Sequence, residues 1–426
     1  MRNFDIIEND RTSCGNSLNG LTKIIKGIMK VATQIITKSF RFRICEPSKI
    51  VQANLEQTLN LCRDLYNAAL QERRDAYKLN RISINYYDQA NQLSEIKSTN
   101  PEYKEVHSQV LQDVLKRLEK TFKAFFGRFK KGQAGFPRFK GANRFDSFCF
   151  PQSGFSLTGN KLKLSKIGTV KIKLSRQIIG KVKTLTIKRE CGKWFAVFTV
   201  ETSVEPLEKT GESVGMDAGI SAFLTLSDGT QIDNFKYYES TNKKLRVAQR
   251  SVARKKKGSN RRRKAVNQLR KIHQKIKNQR ADFQHKVSTY LVKTYDVICI
   301  ENLNVIGMSR GILSKQVLDA SWSSFFDKLT YKVENTGKQL IKVSPNFTSQ
   351  DCSSCGNRVK KDLSVRVHHC LQCGLVLDRD VNAAINIFRL GQMAETSSSE
   401  KISHKDVTYQ VAESVSLESP FITVSV

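Results

Sequence analysis

A mixed α/β core accompanied by all-β and helical parts is what this 426-residue chain predicts, on three observations. Two short apolar runs, VGMD at 214–217 and VICIE at 297–301, each end in a carboxylate, the pattern of a strand whose last residue faces a site. Between Phe155 and Val200 the apolar period falls to two: Val170, Ile172 and Leu174 alternate with Lys171 and Lys173, which reads as several antiparallel strands. Two CxxC pairs then precede the helix-like run DRDVNAAINIFRL at 378–390.

Composition narrows the class. With 39% hydrophobic and 26% charged residues the chain is long enough for two or more packed domains. Lys and Arg total 72 against 39 Asp and Glu, a formal charge of +33 that favours a polyanion, nucleic acid first, through counterion release. No apolar run is long enough to span a bilayer and the first thirty residues lack a secretory apolar core, so the expectation is a cytoplasmic, nucleoid-associated protein with no membrane partner. Six cysteines (14, 45, 62, 149, 191 and 299) are scattered and four are paired as CxxC, which suits reduced thiols and one metal site better than a disulfide framework.

The first 34 residues show no sustained period and are expected to be a disordered leader or a mis-called start, with Met29 as the alternative initiator. Phe40, Phe42 and Ile44 alternate with Arg41 and Arg43 as in a half-buried strand. Leu55, Leu59, Cys62, Tyr66 and Ala69 recur at helical spacing, and a second amphipathic helix is expected from about Glu105 to Phe126 with Val110, Val114, Leu118, Phe122 and Phe125 on one face. The next segment, GRFKKGQAGFPRFKGANRFDSFCF, interleaves Phe with cations; its rings either stack on bases beside phosphate contacts from Arg128, Lys130, Lys131, Arg138 and Lys140, or plug a neighbouring core. The lysine-rich strands that follow predict a small barrel or sandwich.

A new unit opens at Glu212, with a hairpin turn at Asp228-Gly229. From Thr241 to Arg280 there are 17 Lys or Arg and no acidic residue, read as two basic helices separated near KKKGSN. Forty residues of one sign repel one another unless an anion neutralises them, so Arg254, Lys255, Lys256, Lys257, Arg261, Arg262, Arg263 and Lys264 are expected on a nucleic-acid backbone. A helix FQHKVSTYLVKTY, the strand VICIE, the helix SWSSFFDKLTYKVENTG closed by Gly337, and the strand QLIKV follow. The Ser-rich tail from Gly391 is expected to be disordered or a weak partner contact.

Cys352, Cys355, Cys370 and Cys373 have the spacing of a four-thiolate zinc ribbon, each pair followed by glycine. Four protein ligands leave no position for substrate, so this zinc is structural; His368 and His369 stand close enough in sequence to replace Cys370. Asp217 alone is an ordinary strand-end residue. Glu301 is more telling, because a carboxylate ending so apolar a strand is costly unless a cation offsets it. Asp380 is either an N-cap or a ligand, and Asp378 competes with it for both roles. Strand-Asp, strand-Glu and Asp-helix in this order suggest an RNase H-like nuclease core, whose carboxylates gather divalent cations for phosphodiester cleavage.

The segments MDAGISAFLTLSDG, RADFQHKVSTYLVKTYDVICIENLNV, FTSQDCSSCG and CGLVLDRDVNAAINI resemble the TnpB proteins of bacterial insertion sequences, relatives of the compact type V CRISPR effector nucleases. Upstream, FRFRICEPSK, RDLYNAAL and GFPRFKG resemble the family's amino-terminal half, so the likeness runs from about Ile35 to Leu390. It implies an RNA-guided DNA endonuclease that uses a noncoding guide RNA and cuts double-stranded DNA beside a short motif, with no protein oligomer required. It maps Asp217, Glu301 and Asp380 onto three RuvC metal ligands for two Mg²⁺ ions, preferring Asp380 to Asp378 because it directly precedes VNAA, and the four cysteines onto a zinc finger. The implied organisation is a β-barrel wedge domain (35–50 and 141–205), a helical recognition insertion (51–140), a RuvC-like core (212–345, with 241–280 as basic insert), a zinc ribbon (346–376), a third RuvC motif (377–390) and a tail (391–426). Two other classes stay open: a cleavage-inactive nucleic-acid-binding regulator of transposition, and a strand-transfer transposase. No GxxxxGK[ST] loop marks a nucleotide hydrolase.

Overall fold

A computed structural model describes residues 34–401 except 134, 143, 205, 363 and 364, with side chains from 35 to 395. The expected leader and the last 25 residues of the tail, 402–426, lie outside the described residues. The chain forms two compact units: one from the chain up to Leu207 with Ser240–Ala281 and Asn335–Gly337, the other from Glu208–Glu239, Asp282–Glu334 and the chain from Lys338.

The first unit contains strand β1 (Gln34–Arg43), helices α1 (Lys49–Asn80), α2 (Tyr86–Asn91), α3 (Leu93–Thr99) and α4 (Ser108–Phe129), and strands β2 (Ser147–Phe150), β3 (Phe155–Thr158), β4 (Lys161–Leu164), β5 (Gly168–Lys171), β6 (Lys181–Glu190) and β7 (Lys193–Val204). Helix α1 starts where the Ser48 hydroxyl accepts from the Val51 amide at 3.3 Å and stops at Arg81, whose φ of 56° turns the chain left-handed. Its expected apolar stripe, Leu55, Leu59, Cys62, Tyr66 and Ala69, is buried and joins Val110, Val114 and Leu118 of α4 in one core with Phe42, Phe148, Leu162 and Phe198 from the strands. The strands form an antiparallel sheet in the order β1-β7-β6-β2 and a second sheet β3-β4-β5, linked by a bridge between Ile44 and Ile172. The four-stranded ladder ends at β1 and β2 without closing on itself, so the barrel or sandwich expected from the sequence is here two sheets sharing a core.

Helix α5 (Tyr237–Ala253) and helix α6 (Asn260–Thr294) follow the second unit's opening strands, with the expected break at KKKGSN, where Gly258 has φ +82°. The sequence suggested a further break near Arg280, but α6 is continuous over 35 residues. Nothing between Arg280 and Phe283 is Gly or Pro, so the backbone has no reason to stop there.

The second unit is built on strands β8 (Ser213–Asp217), β9 (Ala222–Leu226), β10 (Gln231–Asp233), β11 (Val297–Glu301) and β12 (Gln339–Val343), with helices α7 (Val305–Met308), α8 (Ser314–Ala320) and α9 (Trp322–Thr336). They form one mixed sheet, β10-β9-β8-β11-β12: the first three are an antiparallel meander, and β8, β11 and β12 run parallel. Trp322, Phe325, Leu329 and Val333 give α9 its buried stripe against this core. A hairpin of β13 (Val367–His369) and β14 (Val376–Asp378) leads into the last helix, α10 (Arg379–Lys401).

Two glycines let α10 lie flat on the sheet. A Cβ at Gly215 in β8 would sit 2.2 Å from the Ala384 carbonyl oxygen, and one at Gly391 in α10 would sit 2.1 Å from Cys299 Sγ in β11. Gly391 therefore permits contact rather than ending the helix, and α10 runs past the expected stop at Leu390 to Lys401. The first part of the tail expected to be disordered or a weak partner contact, 391–401, is therefore helix.

Candidate functional site

Each acidic residue singled out in the sequence is held by a different element of the second unit. Strands β8 and β11 are parallel neighbours with Met216 opposite Ile300, so the next residue of each, Asp217 and Glu301, ends its strand beside the other. The carboxyl ends of adjacent parallel strands are where open α/β sheets bind ligands. Asp380 comes from the first turn of α10. The cap of that helix is Asp378, whose Oδ1 accepts from the amides of Asp380 (2.8 Å) and Val381 (3.2 Å). Asp378 is thereby occupied with the backbone, and the Asp380 carboxylate meets Arg366 instead, with guanidinium nitrogen to Oδ2 at 3.5 Å.

The three carboxyls share one electrostatic condition. Burial raises all three, and Asp217 reaches about 7 because Glu301 and Asp380 add like charge to its desolvation. A hydrogen bond donated by the Thr348 hydroxyl to Glu301 Oε1 at 2.5 Å, and the Arg366 cation beside Asp380, offset this in part. Hard oxygen ligands that resist ionising alone are suited to a divalent cation, which would replace the missing positive charge.

Arg366, Thr348, Asn382 and Asn386 are site residues the sequence did not single out. Arg366 also donates to Ser221 Oγ at 2.8 Å. Asn382 and Asn386, one turn apart on α10 and both buried, donate to the Asp351 carbonyl at 2.9 and 2.7 Å, and Asn386 also donates to the Thr348 carbonyl at 2.8 Å. The i, i+4 asparagine pair, Asn382 within VNAA and Asn386 just after it, was the available signal; an Arg or Thr in a loop has none.

Cys352, Cys355, Cys370 and Cys373 come together with all four sulfurs within 4.8 Å of one another, the only such group of His, Cys, Asp or Glu ligand atoms among the described residues. Cys352–Cys373 and Cys355–Cys370 sulfur pairs are 3.6 Å apart, close to the edge of about 3.8 Å expected for a tetrahedron of ~2.3 Å Zn–S bonds. The two knuckles repeat one turn: Gly356 and Gly374, at φ +75° and +76°, each donate from the amide to the carbonyl of the first cysteine at 2.9 Å. Amides of Cys373 and Gln372 lower the Cys370 thiol, while desolvation and its sulfur neighbours raise that of Cys355, as expected of thiols sharing protons in one cluster. Neither neighbouring histidine joins the cluster: His368 is buried with its Nδ1 on Lys361, and His369 is exposed.

In the first unit, Arg128, Lys130, Lys131, Arg138, Arg254, Lys256, Lys257, Arg261, Arg263 and Lys264 are exposed, while Lys140, Lys255 and Arg262 are half-buried. Among the described residues no helix is long and apolar enough to cross a membrane.

Comparison with known proteins gives three family matches: "Probable transposase" over residues 196–311, "Cas12f1-like, TNB domain" over 322–387, and "Helix-turn-helix domain" over 34–81. The last name does not describe the fold of that segment, which is β1 followed by the single 32-residue helix α1. The chain is 33% identical to "Putative RNA-guided DNA endonuclease InsQ" of Escherichia coli K12, over 83% of this chain and 92% of the relative. It is 34% identical to a "Putative RNA-guided DNA endonuclease" of Streptomyces pristinaespiralis, over 85% and 91%. A solved Cas12f1–sgRNA–target DNA complex shares the fold at a TM-score of 0.55 and 13% identity, covering 83% of this chain and 98% of that one. Matched at this identity along nine-tenths of two relatives, with the cysteine cluster lying inside the second matched segment, the chain belongs to the TnpB family.

Proposed function

We propose that this protein is an RNA-guided DNA endonuclease of a transposable element, cutting beside a short target-adjacent motif. The observation that carries this reading is that Asp217 and Glu301 end the neighbouring strands β8 and β11 and Asp380 opens α10, with Asp217 raised to about 7 by burial and by the like charges of the other two. These three residues would hold Mg²⁺, which when bound supplies an activated water and a counter-charge for the leaving oxygen. The mixed sheet with Asp217 and Glu301 at its strand ends supports an RNase H-like, RuvC-type core in this reading.

Around the metal ligands the chain positions rather than reacts. Thr348 orients Glu301, Asp378 caps α10 so that the Asp380 carboxylate stays available, and Arg366 places a cation where a scissile phosphate would approach. The four thiolates would hold Zn²⁺ as a structural ion that fixes the loop carrying Arg366.

In this reading residues 35–50 and 141–205 act as the wedge, 51–140 as the recognition insertion, and 241–280 as a basic insert on the guide–target backbone. Base pairing with a guide RNA would supply sequence specificity, and the cations of the first unit would neutralise phosphates. The protein would act on the chromosome.

The test is to express the chain with its native flanking DNA, purify the complex and challenge it with Mg²⁺ and a plasmid library matched to the co-purifying RNA. Guide-dependent double-strand breaks beside a fixed motif are expected. RNA retention without cleavage would move the protein to a binding regulator, and joined rather than broken ends to a strand-transfer enzyme.

A further inference from the structure

The C-terminal end of α4 carries a feature that the acidic centre does not use. The rings of Phe122, Phe125, Phe126, Phe129 and Phe136 form one cluster with centroids 5.1–6.3 Å apart. Phe126, Phe129 and Phe136 are 54%, 65% and 46% exposed. Of the two roles open for the phenylalanines of the 127–150 segment, plugging a core holds for Phe145, Phe148 and Phe150, which are buried, but fits Phe129 and Phe136 poorly, because they face water together with Phe126. The segment is also pinned: Asn67 of α1 accepts from the Lys140 amide at 2.8 Å and donates to its carbonyl at 3.0 Å, and Pro137 is buried. A ring cluster held half in water is a surface that a partner covers.

Charge selects the partner. From Phe122 to Phe145 there are seven Lys or Arg and no Asp or Glu. A second copy of the chain would bring this cationic rim against itself across a two-fold axis, juxtaposing like charges. A duplex would satisfy the cations but keeps its base faces stacked inside. Unpaired nucleotides offer phosphates and flat apolar faces together.

We propose that Phe126, Phe129 and Phe136 form a stacking platform for unpaired bases of the guide RNA, with the surrounding cations on its phosphates. This rests on the RNA-guided reading above. The guide, unlike a displaced DNA strand, is present before target is opened, so it covers the rings in the resting complex.

The experiment measures fluorescence anisotropy of the full chain with a labelled short single-stranded RNA and with the same sequence as a blunt duplex, across salt. Phe126→Ala/Phe129→Ala is expected to weaken single-strand binding about five- to 150-fold for each stacked base lost, leaving the salt slope and duplex binding unchanged. Phe126→Trp/Phe129→Trp is expected to keep it. Lys130→Ala/Lys131→Ala is expected instead to lower the salt slope for both probes. Both phenylalanines are more than half exposed, and circular dichroism checks that each variant folds. Equal loss on duplex and single strand, or no loss in a wild-type background that binds RNA and cleaves DNA, would overturn the platform alone. A concentration-dependent dimer in sedimentation that the double alanine variant abolishes while RNA binding persists would assign the rings to a second copy. A wild-type chain that neither retains RNA nor cleaves would overturn both readings.

Discussion

Asp217 and Glu301 end neighbouring parallel strands at the same level, one residue past the Met216–Ile300 pair, so two carboxyls are side by side at the carboxyl edge of the sheet. Burial first, and then the like charges of Glu301 and Asp380, raise Asp217 from 3.8 to about 7.

A pH dependence of opposite sign to that of a salt-bridged carboxylate follows. Between pH 3.8 and about 7 the folded protein binds a proton at Asp217 that the unfolded chain has released, so metal-free stability falls as pH rises through this window and is flat above it. Burial raises Glu301 and Asp380 too, which adds to the same slope. Urea unfolding in chelator is expected to show Asp217→Asn more stable than wild type at pH 8 and equal to it near pH 4. Mg²⁺ is expected to stabilise wild type at pH 8 and not the variant. Asp217→Ala is expected to lose cleavage while retaining RNA.

The cysteine cluster predicts a metal-dependent local fold. Four sulfurs gathered within 4.8 Å of one another would repel as thiolates unless an ion sits among them, so the fold of the segment from Cys352 to Cys373 is tied to the metal. Cys352→Ser is expected to lower zinc, read by plasma emission spectrometry, from one per chain to well below one, and to make the ribbon open to protease first. Full zinc occupancy in the variant would refute the assignment.

What was legible in the sequence was whatever a short period or spacing writes directly. The stripe Leu55 to Ala69, the strand ends at Asp217 and Glu301, and the two knuckles are all local patterns, and the structure forms each where the pattern lies. Features set by packing were not legible. Gly391 reads as a helix stop, but its role comes from Cys299, ninety-two positions earlier. The cap at Asp378 and the ion pair of Asp380 with Arg366 follow from side-chain directions that the run DRD does not encode. The continuity of α6 was hidden because its two halves differ in charge rather than in any breaker residue.

Close packing of α10 yields a contrast between two glycines. Gly215→Ala drives a methyl onto backbone, the Ala384 carbonyl, whereas Gly391→Ala drives one onto a side chain, Cys299 Sγ. Each is expected to cost about 1–3 kcal/mol in urea unfolding. Only the second has a partner that can be trimmed: Cys299→Ala is expected to recover part of the Gly391→Ala loss and none of the Gly215→Ala loss. Equal recovery of both would show that the helix shifts as a whole rather than meeting local contacts.

Asn386 links the helix to the site through two relays. Its amide donates to the carbonyls of Thr348 and Asp351, and the Thr348 hydroxyl donates to Glu301. Asn386→Leu would leave the buried Thr348 carbonyl without its donor, at about 1–3 kcal/mol. It is also expected to loosen the loop that orients Glu301. Thr348→Val removes the hydroxyl's short bond to Glu301 and its long 3.4 Å contact with the Pro345 carbonyl but leaves the Thr348 carbonyl paired, so its stability change is expected to be smaller while its cleavage rate falls. If the relay operates, the Asn386→Leu/Thr348→Val double variant cleaves no more slowly than the worse single one, because both act through Glu301. Multiplying losses in single-turnover cleavage at saturating Mg²⁺ would instead show that Asn386 and Thr348 support the site independently.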